Sequence, residues 1–223
     1  MSEQKPIDPE AFPSEQTEFL LSGPVGRLEC MADVPEPDVA RPATAVLCHP
    51  HPRHGGTMRN KVVTIMDRAL RESGLATVRF NTRGTGESEG SFDDGNGELE
   101  DLLAVVEWVR ATRPDNDLWL GGFSFGAWIS LRAAQDLPVR MLITIAPPVE
   151  RYGFDELVPP NCPWLVVQGD EDEVVSPKAV FQWVDKLDKK PDLVVMEGSG
   201  HFFHRRLMDL RGLIKNAVQN HLP

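Results

Sequence analysis

An apolar run at residues 117–123 passes without a spacer into a helical pattern at 125–135, and the junction carries Gly122-Phe123-Ser124-Phe125-Gly126. A G-x-S-x-G placed between a strand and a helix leaves few folds open. The turn must be sharp, which forces Ser124 into strained backbone angles and lifts its hydroxyl clear of the sheet. The helix N-terminus behind it favours negative charge that develops there. The glycines on either side permit the close backbone approach that such a turn needs.

The rest of the chain alternates in the same way. Residues 18–21 and 26–31 read as an antiparallel hairpin turning at Ser22-Gly23-Pro24. Buried strands are expected at 43–48, 75–80, 139–145 and 163–168, with a last short one at 193–196. Helices are expected at 60–73, at 98–112 with a stripe of Leu99, Leu102, Leu103, Val106 and Val109, from the Ser176-Pro177 cap onward, and at 202–220. The glycine- and serine-rich stretch 81–97 is a long loop. The expected fold is α/β: one doubly wound, mostly parallel sheet with helices on both faces, spanning residues 16–223 as a single domain. Residues 1–15, polar and holding three prolines, read as a mobile leader.

In such a sheet the chemistry sits in loops that follow strands. A serine hydroxyl is a weak nucleophile near neutral pH and needs a base. His201 follows the last strand at Gly198-Ser199-Gly200-His201 and is placed to be that base. The base needs a carboxylate to fix its tautomer, and Gly169-Asp170-Glu171-Asp172-Glu173, just after another strand, offers four. The order Ser, Asp, His along the chain fits a strand–turn–helix nucleophile. Two backbone N–H groups are expected to hold an oxyanion: that of Phe125, and that of His51 in the loop His49-Pro50-His51-Pro52-Arg53-His54, where Pro50 and Pro52 have none. Arg59, through a substrate carboxylate, and Phe123 are candidates for substrate contact.

These residues resemble the α/β-hydrolase superfamily, in particular its small lidless serine members related to dienelactone hydrolases and simple carboxylesterases. The segments that carry the likeness are CHPHPRHGGTMRNK, NTRGTGESEG, GGFSFGAW, QGDEDEVV and GSGHFF. The resemblance implies a G-x-x-D-x-x-V pattern at the acid, which Gly169, Asp172 and Val175 match, so Asp172 is preferred and Asp170 stands second. It implies a carboxylic ester or thioester hydrolase acting through an acyl-enzyme. Dienelactone hydrolases use cysteine where this chain has Ser124. Only residues 147–162 lie where relatives insert a helical lid, so no large lid is expected and the site should be open.

Two other readings stand beside it. His49, His51 and His54 form H-x-H-x-x-H, a spacing that suits a metal-dependent hydrolase, although Arg53 stands where a second metal would want a carboxylate. The same fold with a broken triad would be a non-catalytic binding module. No nucleotide-binding glycine motif is present, and no cofactor is expected. The net charge of −11 argues against nucleic acid and anionic membranes as partners, and slightly against strongly anionic substrates. The expected partner is a small-molecule ester or thioester, with monomer and small homo-oligomer both open. Three cysteines without a C-x-x-C pair point to a reducing, cytoplasmic setting.

Overall fold

The computed structural model describes residues 5–223. Eight strands form one sheet in the order β1-β2-β4-β3-β5-β6-β7-β8. They are β1 (Thr17–Gly23), β2 (Gly26–Asp33), β3 (Ala43–Cys48), β4 (Ala76–Phe80), β5 (Asp117–Phe123), β6 (Met141–Ile145), β7 (Trp164–Gly169) and β8 (Asp192–Met196). β1 and β2 form the antiparallel hairpin, and β2 joins β4 antiparallel. All pairings from β4 to β8 are parallel. Strands β3, β4, β6 and β7 are buried at every residue, as strands covered on both faces must be.

The helices are α1 (Lys61–Glu72), α2 (Asn96–Thr112), α3 (Phe125–Ala133), α4 (Pro177–Lys186) and α5 (Leu207–Val218). Residues of α2, α3 and α4 join one apolar cluster, and those of α1 and α5 join another. The sheet separates the two, so every helix buries one face. α1 begins on Asn60, whose side chain accepts from the Val62 N–H, and α4 on Ser176, whose hydroxyl accepts from the Ala179 N–H. From β3 the chain moves to β4 on one side, then returns to β5 on the other. The carboxyl ends of β3 and β5 therefore flank a crevice, the place where such sheets hold ligands.

Three expectations need correction. Residues 5–15 do not stand off the fold as a leader; residues 1–4 lie outside the described residues. The Leu20 N–H donates to Pro6 O, the Asp8 N–H donates to Leu20 O, and the Asp8 carboxylate accepts from both Ser22 N–H and Ser22 Oγ. Trp108 Nε1 donates to Pro9 O while Phe12 stacks on the Trp108 ring at 5.5 Å. β1 is a sheet edge, and this segment gives its free backbone groups partners.

The apolar stripe assigned to α2 is also rotated from the real one. Leu103 is 37% exposed, whereas Glu98 and Asp101 are fully buried. Their carboxylates hold the 81–97 loop: Glu98 accepts from the Asp93 and Gly95 N–H groups, and Asp101 accepts from the Arg83 backbone and guanidinium. A buried loop must have its polar groups satisfied, and here the helix face supplies the acceptors.

Finally, α5 starts at Leu207 rather than at 202. Phe203 and Arg205 take φ of 50° and 62°, which no helix accommodates. These turns let Phe203 drop into the core, fully buried, before the helix axis begins.

Candidate active site

Ser124 sits between β5 and α3 with φ 54° and ψ −118°. A non-glycine residue at such angles costs about 1–3 kcal/mol and persists only where its surroundings over-determine it. Here the Ser124 N–H donates to Ile145 O at the end of β6 (2.8 Å), and Ser124 O accepts from the Ala127 N–H in the first turn of α3 (2.9 Å). Gly122 and Gly126 are required by contact. A Cβ on Gly122 would strike the Gly126 carbonyl, and one on Gly126 would strike the Cys48 and His49 carbonyls at the end of β3.

His201 follows β8 and turns its ring toward Ser124. Its Nε2 lies 3.2 Å from Ser124 Oγ, and its Nδ1 lies 2.8 Å from Asp172 Oδ2. A carboxylate only accepts, so Nδ1 carries the proton and Nε2 presents a lone pair to the serine hydroxyl. The imidazole rests on the Phe123 ring (4.9 Å between centroids), with Phe202 edge-on to it. The His201 backbone N–H donates to Glu173 Oε2.

Asp172 is held on both oxygens. Oδ1 accepts from the Val174 and Val175 N–H groups at 2.8 and 2.7 Å, and Oδ2 accepts from Gln168 Nε2 at 3.1 Å as well as from His201. Burial works against its charge, but the hydrogen bonds from His201, Val175 and Val174 outweigh it and hold the carboxyl below its ordinary range. Asp170 does not approach the imidazole; its Oδ1 accepts from the Gly198 N–H and shapes the turn before His201.

A cavity of about 380 Å³ opens onto Ser124. His51 and Phe125 line it, their rings 5.0 Å apart, and among the described residues neither backbone N–H donates to another group. Two expected contacts are corrected. Arg59 does not line this cavity: its guanidinium is held by Glu18 Oε1 at 2.7 Å, a partner far away in sequence. Phe123 is fully buried and supports the imidazole from beneath rather than meeting substrate.

The three loop histidines do not act as one set. His49 is buried, its Nδ1–H donates to Pro50 O at 2.6 Å, and its Nε2 accepts from the Thr82 N–H at 3.1 Å. Both ring nitrogens are engaged, which leaves it no lone pair for a metal. Among the described residues no group of three or more His, Cys, Asp or Glu side chains is arranged around a common cation position. His49 instead ties the loop after β3 to the loop after β4.

Burial, the largest influence, lowers the His49 pKa to about 4; the hydrogen bond to Pro50 O opposes it and the nearby His51 charge adds slightly to it. The unfolded chain, near 6.5, then takes up this proton before the folded one does. Stability present above pH 6.5 is lost as pH falls toward 4, by about 3 kcal/mol from this residue. Urea unfolding at pH 7 and pH 4.5 should show the loss, and His49→Gln should flatten the slope. An unchanged slope in that variant would assign the acid sensitivity elsewhere.

Gln168, Arg151 and Tyr152 carry no role in the sequence reading, and Glu173 enters it only as one of four carboxylates, not as the acceptor of the His201 N–H. Gln168 carried a signal: it is the one polar side chain in the run Trp164–Gly169, four residues before Asp172. Arg151 and Tyr152 line the cavity from the segment between β6 and β7. That segment holds only a three-residue helical turn, Phe154–Glu156, and no lid.

Residues 31–159 match the family model described as X-Pro dipeptidyl-peptidase (S15 family), a span that includes Ser124 and stops short of Asp172 and His201. Among solved structures, one from Xanthomonas campestris, described as an α/β serine hydrolase without a lid, is 54% identical. It covers 96% of this chain and 98% of its own, with a TM-score of 0.93. An α/β serine hydrolase homologue from Coxiella burnetii is 49% identical over 92% of this chain and 99% of its own, with a TM-score of 0.90. An uncharacterized protein of Rickettsia prowazekii is 36% identical over 90% of this chain and 88% of its own.

Proposed function

This chain belongs to the family described as X-Pro dipeptidyl-peptidase (S15), among the lidless α/β serine hydrolases, and from that premise we propose that it hydrolyses carboxylic esters or thioesters of small acyl groups through an acyl-enzyme at Ser124. The observation that carries the reading is the hydrogen-bonded series Asp172–His201–Ser124 at the carboxyl ends of three strands. In the first step His201 Nε2 takes the hydroxyl proton as Ser124 Oγ attacks the carbonyl carbon. The Phe125 and His51 N–H groups hold the oxyanion, each contributing about 3 kcal/mol in the transition state. His201 returns the proton to the leaving oxygen or sulfur. Water, deprotonated by the same ring, then releases the acid. Asp172 remains ionised and stabilises the imidazolium.

The family description favours a second reading, release of X-Pro dipeptides. A peptidase that measures from a free amino terminus needs an acceptor for an ammonium group. Among the described residues no aspartate or glutamate lines the Ser124 cavity, which supports the ester reading over this one. A panel of p-nitrophenyl esters and acyl thioesters of graded length, run beside Ala-Pro-p-nitroanilide, separates them. Turnover of short esters with little of the anilide is expected. Efficient anilide cleavage with poor ester turnover would assign the peptidase instead.

A further inference from the structure

The chain carries 34 acidic residues against 23 basic ones, yet the cavity at Ser124 has the opposite character. Its polar lining includes Arg151, His51, His54 and Asn60, and among the described residues no carboxylate. Arg151 is exposed, and among the described residues no carboxylate forms an ion pair with it. Its backbone N–H donates to Pro148 O, which fixes the turn that carries it. The next two residues, Tyr152 and Gly153, take φ of 60° and 66°, so the segment replacing a lid folds back sharply beside the site. Arg53, 5.8 Å from the centre of the Phe92 ring, adds a second cation whose charge reaches His51 of the lining. Asp94, exposed, is the acidic group that opposes them.

From this arrangement we infer that the substrate carries a carboxylate remote from its scissile carbonyl, and that Arg151 binds it. The inference rests on the hydrolase reading above and names its substrate class. The ring of His51 reports the same field: after burial, the charges of His54, Arg53 and Arg151 lower its pKa, and Asp94 only partly offsets them. The overall charge of −11 does not oppose this. At physiological ionic strength the screening length is about 8 Å, so a bound anion responds to the cavity wall and not to acidic groups on distant faces. Arg suits the task because its planar fork meets a carboxylate with two parallel N–H donors. The aromatic side chains of Phe125 and Tyr152, packed edge-to-face at 5.6 Å, line the same cavity as Ser124 and Arg151 and offer apolar surface to the linking methylenes.

The test compares p-nitrophenyl hemiadipate with the p-nitrophenyl ester of monomethyl adipate, which has the same reach without the charge. The ratio of their kcat/KM values is the readout. The ratio should favour the anionic ester in the native protein and fall about tenfold in Arg151→Ala, a change equal to about 1.4 kcal/mol. Added salt should lower it in the native protein. Arg140, paired with Asp117 at 3.6 Å, is outside the cavity lining, and Arg140→Ala should keep the ratio. A ratio that Arg151→Ala leaves unmoved would overturn the inference and leave the hydrolase intact. A binding arm needs no turnover: adipate, but not adipamide, should raise the melting temperature of Ser124→Ala, and the gain should vanish in Ser124→Ala/Arg151→Ala. Equal effects of the two ligands would also overturn it. Failure of the hydrolase reading looks different, because Ser124→Ala would then retain esterase activity whatever adipate does.

Discussion

Ser124→Ala should fold as the native protein does and lose p-nitrophenyl acetate turnover by about 10⁴- to 10⁶-fold, the range seen when a triad nucleophile is removed. The variant keeps its fold because Ser124 Oγ caps no helix and, among the described residues, bonds only to His201 Nε2. The turn itself is held by backbone bonds to Ile145 and Ala127, which alanine retains. The residual rate would come from the oxyanion donors and from substrate binding. Circular dichroism and melting temperature check the fold while the kinetics check the role. A folded variant within about tenfold of native turnover, far above that residual, would remove Ser124 from the mechanism.

The second large effect separates two neighbouring carboxylates. Asp172→Asn should lower kcat by about 10⁴-fold, and the cause is the tautomer. Two backbone N–H groups point at Oδ1, so an asparagine must place its carbonyl oxygen there. Its NH₂ then takes the place of Oδ2, facing His201 Nδ1 and the Gln168 amide. An NH₂ only donates, so Nδ1 must become the acceptor and the ring proton moves to Nε2. That nitrogen can no longer take a proton from Ser124. Asp170→Asn keeps an oxygen for the Gly198 N–H and, as a surface change worth about 0.5 kcal/mol at most, should alter rates by no more than about two- to threefold. Steady-state kinetics of both variants decide the matter. A severe loss in Asp170→Asn with a mild one in Asp172→Asn would reverse the assignment.

What could be read from the sequence, and what could not, divides along a physical line. Strands β3 and β5 match the expected residues because an uninterrupted apolar run bounded by turn residues has few other fates. Ser124 and His201 are candidates because each follows such a run, and Asp172 because the resemblance groups it with Gly169 and Val175; a parallel sheet delivers all its strand ends to one edge, and the three side chains lie within hydrogen-bond reach there. The failures concern partners distant in sequence. Arg59 looked free until the fold set Glu18 beside it. Glu98 and Asp101 fall outside the apolar stripe expected of α2, and the loop donors that bury them belong to no periodic pattern. Residues 5–15 looked like a leader because an unpaired edge strand is invisible until the sheet order is known. The start of α5 was misplaced because Phe202 and Phe203 extend an apolar pattern that the backbone has already left.

The most direct measurement is peptide mapping by mass spectrometry after treatment with a fluorophosphonate. Such reagents form a stable bond only with a serine whose proton an adjacent base removes. One adduct per chain is predicted, on the peptide that holds residue 124, with labelling lost in His201→Ala. A folded protein that remains unlabelled, or one modified at a different serine, would contradict the account.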